Sequence, residues 1–470
     1  MKLSRRQALG LGAVGFAGIS CAPIAKRFAA DLPADLKLPD YDVEPTLKLV
    51  NRLTFGPTPG EVKRVATLGF SGYLGEQLAA NQPEPHHLTA QLTRLDALRM
   101  DAHEMQELPM ELVLSQLQQA AILRAAHSPN QLRERMVEFW SDHFNVYGRK
   151  GSAAFQKGPD ETRVIREHAL GNFGDLLDAS AHSPAMLAYL DNQLNQKGVP
   201  NENYARELLE LHTLGVHGGY TQQDVQEVAR CFTGWTLENR FLHPKGKFRF
   251  DPERHDDGSK RVLGHLIPAG GGASDGKQVL AILASHQSTA TFICRKLARF
   301  FLGLEDGPVV NSMSERFRAT QGDIKSVLRV MFTDKNIQAA RPVQKRPFDF
   351  MVSALRAVGA QTDGGRGIQT HLDKMGMPLY QWPMPDGYPV KTEAWTGTLL
   401  ARWNFATSLS SGAIPGTGMD AKKLEERSGG ELAEVVLNSR TLARRINDLN
   451  LTGQESIITA CLASPEFQWR

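Results

Sequence analysis

The stretch NENYARELLELHTLGVHGGYTQQD, residues 201–224, decides the fold. At about 100° per residue, Tyr204, Ala205, Leu208, Leu209 and Leu211 fall on one face of a helix over 202–214. Arg206 and Glu210 lie opposite, with Glu202 at their edge. Glu202 with Arg206 and Arg206 with Glu210 are i,i+4 pairs, worth about 0.2–0.5 kcal/mol each when exposed. Asn201 is a good cap for the start, and Gly215 is placed to end the helix in a left-handed turn. Thr221 with Asp224 then makes a capping box for a second helix whose apolar positions are Val225, Val228, Ala229 and Phe232. Two residues are left over. Glu207 borders the apolar face beside Leu211, and His212 falls near its centre, where a histidine is more often a satisfied core residue than a ligand.

The same spacing of apolar residues by three and four recurs over 46–53, 59–80, 111–126, 131–144, 160–170, 222–233, 277–284, 289–302, 323–332 and 347–358. Strand-like alternation is confined to 247–250 and 261–264, separated by the turn Asp256-Asp257-Gly258, and predicts one small hairpin. The expected fold class is therefore all-α: a large multi-helix domain over 41–470, in two helical halves (about 41–240 and 277–470) joined by an irregular or β-hairpin insert at 241–276. No repeat of fixed period is visible.

With 470 residues, 41% of them hydrophobic and 22% charged, the chain can bury a sizeable core. Its formal net charge of +3 comes from interspersed charges, and the basic spots are only pairs, Lys345-Arg346 and Arg444-Arg445. These read as solvated helix faces, so no nucleic-acid partner is expected. Ser4-Arg5-Arg6-Gln7-Ala8-Leu9, followed by the small apolar run 10–19, resembles a twin-arginine export signal over 1–30, with Ala8 where phenylalanine is usual and a linker at 31–40. The expected location is periplasmic or extracellular, reached through the twin-arginine machinery. Gly18-Ile19-Ser20-Cys21 is a weak lipidation box that would anchor the chain at Cys21. No other apolar run is long enough to span a membrane. Cys231, Cys294 and Cys461 sit in apolar helical patterns and read as unpaired core residues.

Several motifs together resemble a known family. They are Trp140-Ser141-Asp142-His143-Phe144-Asn145-Val146, 201–211, Gly219-Tyr220-Thr221, Phe232-Thr233-Gly234-Trp235 and Phe250-Asp251-Pro252. His255-Asp256, Lys260, Arg295-Lys296-Leu297-Ala298, 383–389 and Ser464-Pro465-Glu466-Phe467 continue the pattern. On these residues the chain is similar to the bacterial exported family catalogued as domain of unknown function 1800 (DUF1800). Met384 stands where that family tends to have threonine, and Tyr388 where it tends to have tryptophan. The resemblance implies a helical exported protein, often encoded beside a second exported family similar to sulfatases and alkaline phosphatases. It implies no reaction.

Helix amphipathicity does not require Asp142, His143, Glu207, His255, Asp256 or Lys260. If they converge, Glu207, His255, Asp256 and His143 supply carboxylates and imidazoles for general acid–base catalysis or for a divalent metal. No ligand spacing specifies that metal or any other cofactor: His-Glu-x-x-His and Cys-x-x-Cys are absent, and Glu84-Pro85-His86-His87 is interrupted by proline. The alternative is that 256–258 form a turn and that Asp142, His143 and Glu207 cap or pair helix ends. Gly271 to Gln278 matches a phosphate loop except at Gln278, where serine or threonine is needed. The same loop contains Gly-x-Ser-x-Gly around Ser274, but no strand leads into it. The stretch 380–389, with Trp382 and Tyr388, offers flat rings to a sugar or peptide, and Arg206 and Lys260 are basic contacts for such a ligand. Three readings of function follow. The first is a hydrolase acting on an envelope or extracellular polymer. The second is a non-catalytic helical partner or scaffold of a co-exported sulfatase- or phosphatase-like protein, and the third a surface ligand-binding protein.

Overall fold

The computed structural model describes residues 45–470 apart from 242, 244, 420–432, 435, 438 and 439. The twin-arginine segment, Cys21 and the 31–40 linker lie outside the described residues. The rest is an all-α protein decorated by short antiparallel pairs of strands. No helix among the described residues is long and apolar enough to cross a membrane.

In the opening stretch, Asn201 Oδ1 accepts the Asn203 N–H at 2.9 Å, and an α-helix runs Asn203–Glu207. The expected α-helix does not continue to 214. From Leu208 to Thr213 the backbone winds as a π-helix, with Leu214 N–H donating to Leu209 O at 2.8 Å. The wider turn leaves the wheel at 100° per residue valid only up to Glu207, and π segments of this kind are common at functional sites. Gly215 ends the winding at φ +80°, and the Thr221–Asp224 capping box starts the helix Gln222–Cys231. A second π segment, Asp160–Arg166, replaces the first part of the α-helix expected over 160–170.

The insert makes two hairpins where one was expected. Phe248–Phe250 pairs with Trp235–Leu237, and Lys260–Val262 pairs with His265–Ile267, so 247–250 and 261–264 are not partners. Gly234 makes the first pairing feasible. It has φ +79°, and a Cβ there would meet Asp251 O at 2.5 Å.

The apolar interior does not divide at the insert. One core runs from Leu49 through Val262 and Ile267 to Ala340, and a second from Phe348 to Phe467, reached from the N-terminal part by Phe55, Ile122 and Ala125. The seam between them is crossed by the irregular segment 341–346, where Gln344 bridges Trp469. The helix Gln131–His143 faces both ways. Leu132, Met136, Phe139, Trp140 and His143 enter the first core, while Glu134, Glu138 and Asp142, spaced by four, face the seam. Cys231, Cys294 and Cys461 are buried free thiols, as read from their patterns.

Candidate active site

The seam is held by charge. Arg346 donates from Nη1 to Asp142 at 2.5 Å and from Nη2 to Glu138, and Arg135 donates to Glu138 at 2.6 Å and to Asp349. Arg470 adds a bond to Asp349 at 2.9 Å, and Arg166 grips Glu134 with two bonds of 2.7 and 2.9 Å. Lys345 and Arg346 were expected to be solvated, and both are buried. Arg346 caps the helix Pro347–Ala357 at the junction of the two cores, where carboxylates from the facing helix need a cation. Burial pushes the Glu138 carboxyl up, against the pull of Arg135 and Arg346. Glu138, Ser141, Asp142, Glu161 and Tyr388 line a cavity of about 50 Å³ here, too small for a polymer.

On its other side the same helix end meets the helix Gln287–Leu302. Lys296 Nζ lies 2.9 Å from His143 Nδ1, and His143 Nε2 lies 3.1 Å from His212 O. The carbonyl can only accept, so Nε2 carries the hydrogen and Nδ1 presents its lone pair to Lys296. Burial, then the charge of Lys296, hold His143 well below the ordinary histidine value. Burial and Lys296 likewise lower His212 to about 3. Burial and Arg299 lower Lys296 to about 8, although Asp142 and Asp386 pull the other way.

Asp386 comes from the aromatic–proline stretch. Asn145 Nδ2 donates to Trp382 O at 3.0 Å and to Met384 O at 2.7 Å, the Tyr189 hydroxyl donates to Pro383 O at 2.8 Å, and Gly148 N–H donates to Tyr380 O at 2.8 Å. Gly387, at φ +76°, packs its Cα directly on the Asp142 carbonyl, a contact that leaves no room for a Cβ. The loop is thereby strapped over the end of the Gln131–His143 helix, with Asp386 exposed at its tip. Glu207 is half-buried, within electrostatic reach of Asp386. Burial, then Glu210 and further Asp386, raise the Glu207 carboxyl above the ordinary value against Arg206. Tyr189 is within electrostatic reach of both carboxylates.

His143 and Glu207 are thus brought to one neighbourhood, by way of Lys296 and Asp386. His255, Asp256 and Lys260 belong elsewhere. His255 spans Thr233 O at 2.8 Å and Asp275 Oδ2 at 3.3 Å, and Lys260 donates to the same Asp275 oxygen at 2.5 Å. All three side chains are sealed from solvent. Asp256 is gripped by two bonds from Arg230, at 2.8 and 3.1 Å, which hold its carboxyl below the ordinary value. The group staples the second hairpin to the helices Gln222–Cys231 and Ser274–Ser285. Arg206 pairs on the surface with Glu202 at 2.9 Å and Gln222 at 3.0 Å. Tyr388 is buried, its hydroxyl bonded to Pro378 O, and its ring packs 5.1 Å from that of the half-buried Trp382. The helix His86–Leu92 begins directly after Pro85, so His86 and His87 are helical and Glu84 is not. Among the described residues, no three His, Cys, Asp or Glu side chains are grouped to hold a metal ion.

Lys296, Asp386, Tyr189 and Arg346 were not singled out from the sequence as site residues. The signal for two of them was present, since Lys296 and Asp386 stand inside motifs that carry the family resemblance.

The sequence model of the family described as "Protein of unknown function (DUF1800)" matches residues 48–469, so the chain belongs to that family. Neither a curated protein nor a solved structure matches it detectably.

Proposed function

We propose that this DUF1800 member is an exported hydrolase acting on an envelope or extracellular polymer, with Glu207 as proton donor and Asp386 as the carboxylate that activates water. One observation carries this reading. Two carboxyl groups from segments remote in sequence lie within electrostatic reach of each other in unlike surroundings, Glu207 half-buried with a raised pKa and Asp386 exposed on the strapped loop. Such a difference assigns the acid and the base of a hydrolytic pair. Glu207 would protonate the departing oxygen or nitrogen while Asp386 takes a proton from the attacking water. Pro383, Met384 and Asp386 are exposed on the loop, a surface position that a chain-like substrate can reach. The twin-arginine-like segment at 4–9 supports export of the folded protein.

The test is release of soluble fragments from whole-envelope preparations and from isolated envelope polysaccharides and proteins. The wild type is expected to release fragments, and Glu207→Gln and Asp386→Asn each to lose about 10²-fold or more of the rate while keeping the wild-type melting temperature. Full activity in folded Glu207→Gln, or no release from any of these polymers, would overturn the proposal.

A further inference from the structure

We propose that Lys296 is a covalent site for small aldehydes and ketones, its Nζ condensing with the carbonyl carbon to form an imine. This stands on Lys296 and the groups around its Nζ, and holds whether or not Glu207 and Asp386 hydrolyse a polymer.

A lysine becomes a nucleophile when its surroundings favour the free amine over the ammonium ion. Four lysines with largely enclosed side chains differ in this respect. Lys157 is paired with Asp160 at 2.7 Å, and Lys260 with Asp275 at 2.5 Å, so each has a carboxylate partner. Lys345 is sealed against Ser353 Oγ at 2.8 Å and the ring of Phe467, out of reach of any ligand. Lys296 has no carboxylate within ion-pair distance among the described residues. Its Nζ is bonded instead to the lone pair of a neutral imidazole, and part of its side chain reaches solvent. The His143 ring cannot turn to offer a hydrogen, because its other nitrogen is committed to His212 O in the core. His143 is therefore a positioning residue that holds the amine without an anion. The positive field of Arg299 disfavours the ammonium form further.

The reaction balances without a further reactant. The nitrogen lone pair adds to the carbonyl carbon, and one nitrogen-bound proton passes to the oxygen to give a carbinolamine. The C–O bond then breaks as C=N forms, the second nitrogen-bound proton leaving with the hydroxyl as water. Asp142 and Asp386, whose fields reach Nζ, would stabilise the protonated imine.

Glycolaldehyde with sodium cyanoborohydride, which reduces an imine to a stable amine, tests this on the full-length wild-type protein by peptide mass mapping. At pH 7.5, Lys296 is expected to be alkylated about tenfold or more faster than the exposed Lys277 and Lys335, with a rate that rises through a midpoint near pH 8. Lys296→Arg should lose that adduct alone. Labelling of Lys296 no faster than that of Lys277 and Lys335, or with their pH dependence, would overturn the proposal, and neither reading needs a variant that folds.

Discussion

Arg346 Nη1 lies 2.5 Å from Asp142 Oδ2 across 204 positions of sequence, and its other terminal nitrogen holds Glu138. One guanidinium thus compensates two carboxylates at the seam between the apolar cores. Removing it takes the cation from Asp142 and leaves Glu138 to Arg135 alone. Arg346→Met is expected to cost about 3–5 kcal/mol, as for other broken buried pairs, measured by urea unfolding. A loss below about 1 kcal/mol would mean that Arg135 alone can hold Glu138.

The strap over the helix end depends on Gly387. At φ +76°, with the Asp142 carbonyl against its Cα, alanine meets both a left-handed backbone penalty and a steric block. Gly387→Ala is expected to destabilise by at least about 1–2 kcal/mol and to lower hydrolytic activity, because Asp386 is the preceding residue. Thermal unfolding and the fragment-release assay would check the two effects. An unchanged rate would separate Asp386 from the chemistry.

In the proposed reaction Glu207 would donate only while protonated. Its carboxyl is raised above the glutamate value of 4.5, so the descending limb of the rate against pH should lie above that value. Glu210→Gln removes the largest neighbouring charge that raises it. The limb should then move to lower pH, and a limb that stays in place would point to another acid.

His143 and His212 are neutral in the fold, the latter with a pKa near 3, whereas in an unfolded chain both titrate near 6.5. Below about pH 6.5 the unfolded state binds protons that the folded state refuses. The histidine contribution should therefore be level above that pH and fall as pH drops, each histidine adding a slope of up to about 1.4 kcal/mol per pH unit. His212 Nε2 has no hydrogen-bond partner, so His212→Met should fold and show a shallower acid slope in urea titrations between pH 4.5 and 7.5.

Lys345 gives the opposite window. Burial, then Arg470, lower it to about 7 from 10.5. Between those values the unfolded chain holds one proton more, so this group makes stability rise with pH from about 7 toward 10.5. Lys345→Met should abolish that rise. An identical alkaline slope in the variant would assign it to other groups, such as Lys296.

Much of the helical fold could be read along the chain, because a helix that buries one face must repeat its apolar residues every three or four positions. The helices Met110–His127, Gln131–His143, Gln222–Cys231 and Pro347–Ala357 lie within two residues of their expected bounds, and the Thr221–Asp224 cap depends on atoms only three residues apart. The π winding at Leu208–Thr213 could not be read this way, since one altered turn leaves the apolar count almost unchanged. Strand pairing in the insert was equally hidden. A three-residue strand carries too little pattern to name its partner, and Trp235 lies before the insert begins.

Local pattern determined which segments are helical, where they are capped, which thiols are buried and which family the motifs match. Only the tertiary structure decided that Lys345 and Arg346 turn inward, that His255 and Lys260 share a sealed carboxylate, and that Lys296 and Asp386 join His143 and Glu207. The physical reason is range. Capping and amphipathicity act within a few residues, whereas burial of a charge, and so its pKa and its chemistry, depends on partners that packing brings from 15 to more than 200 positions away.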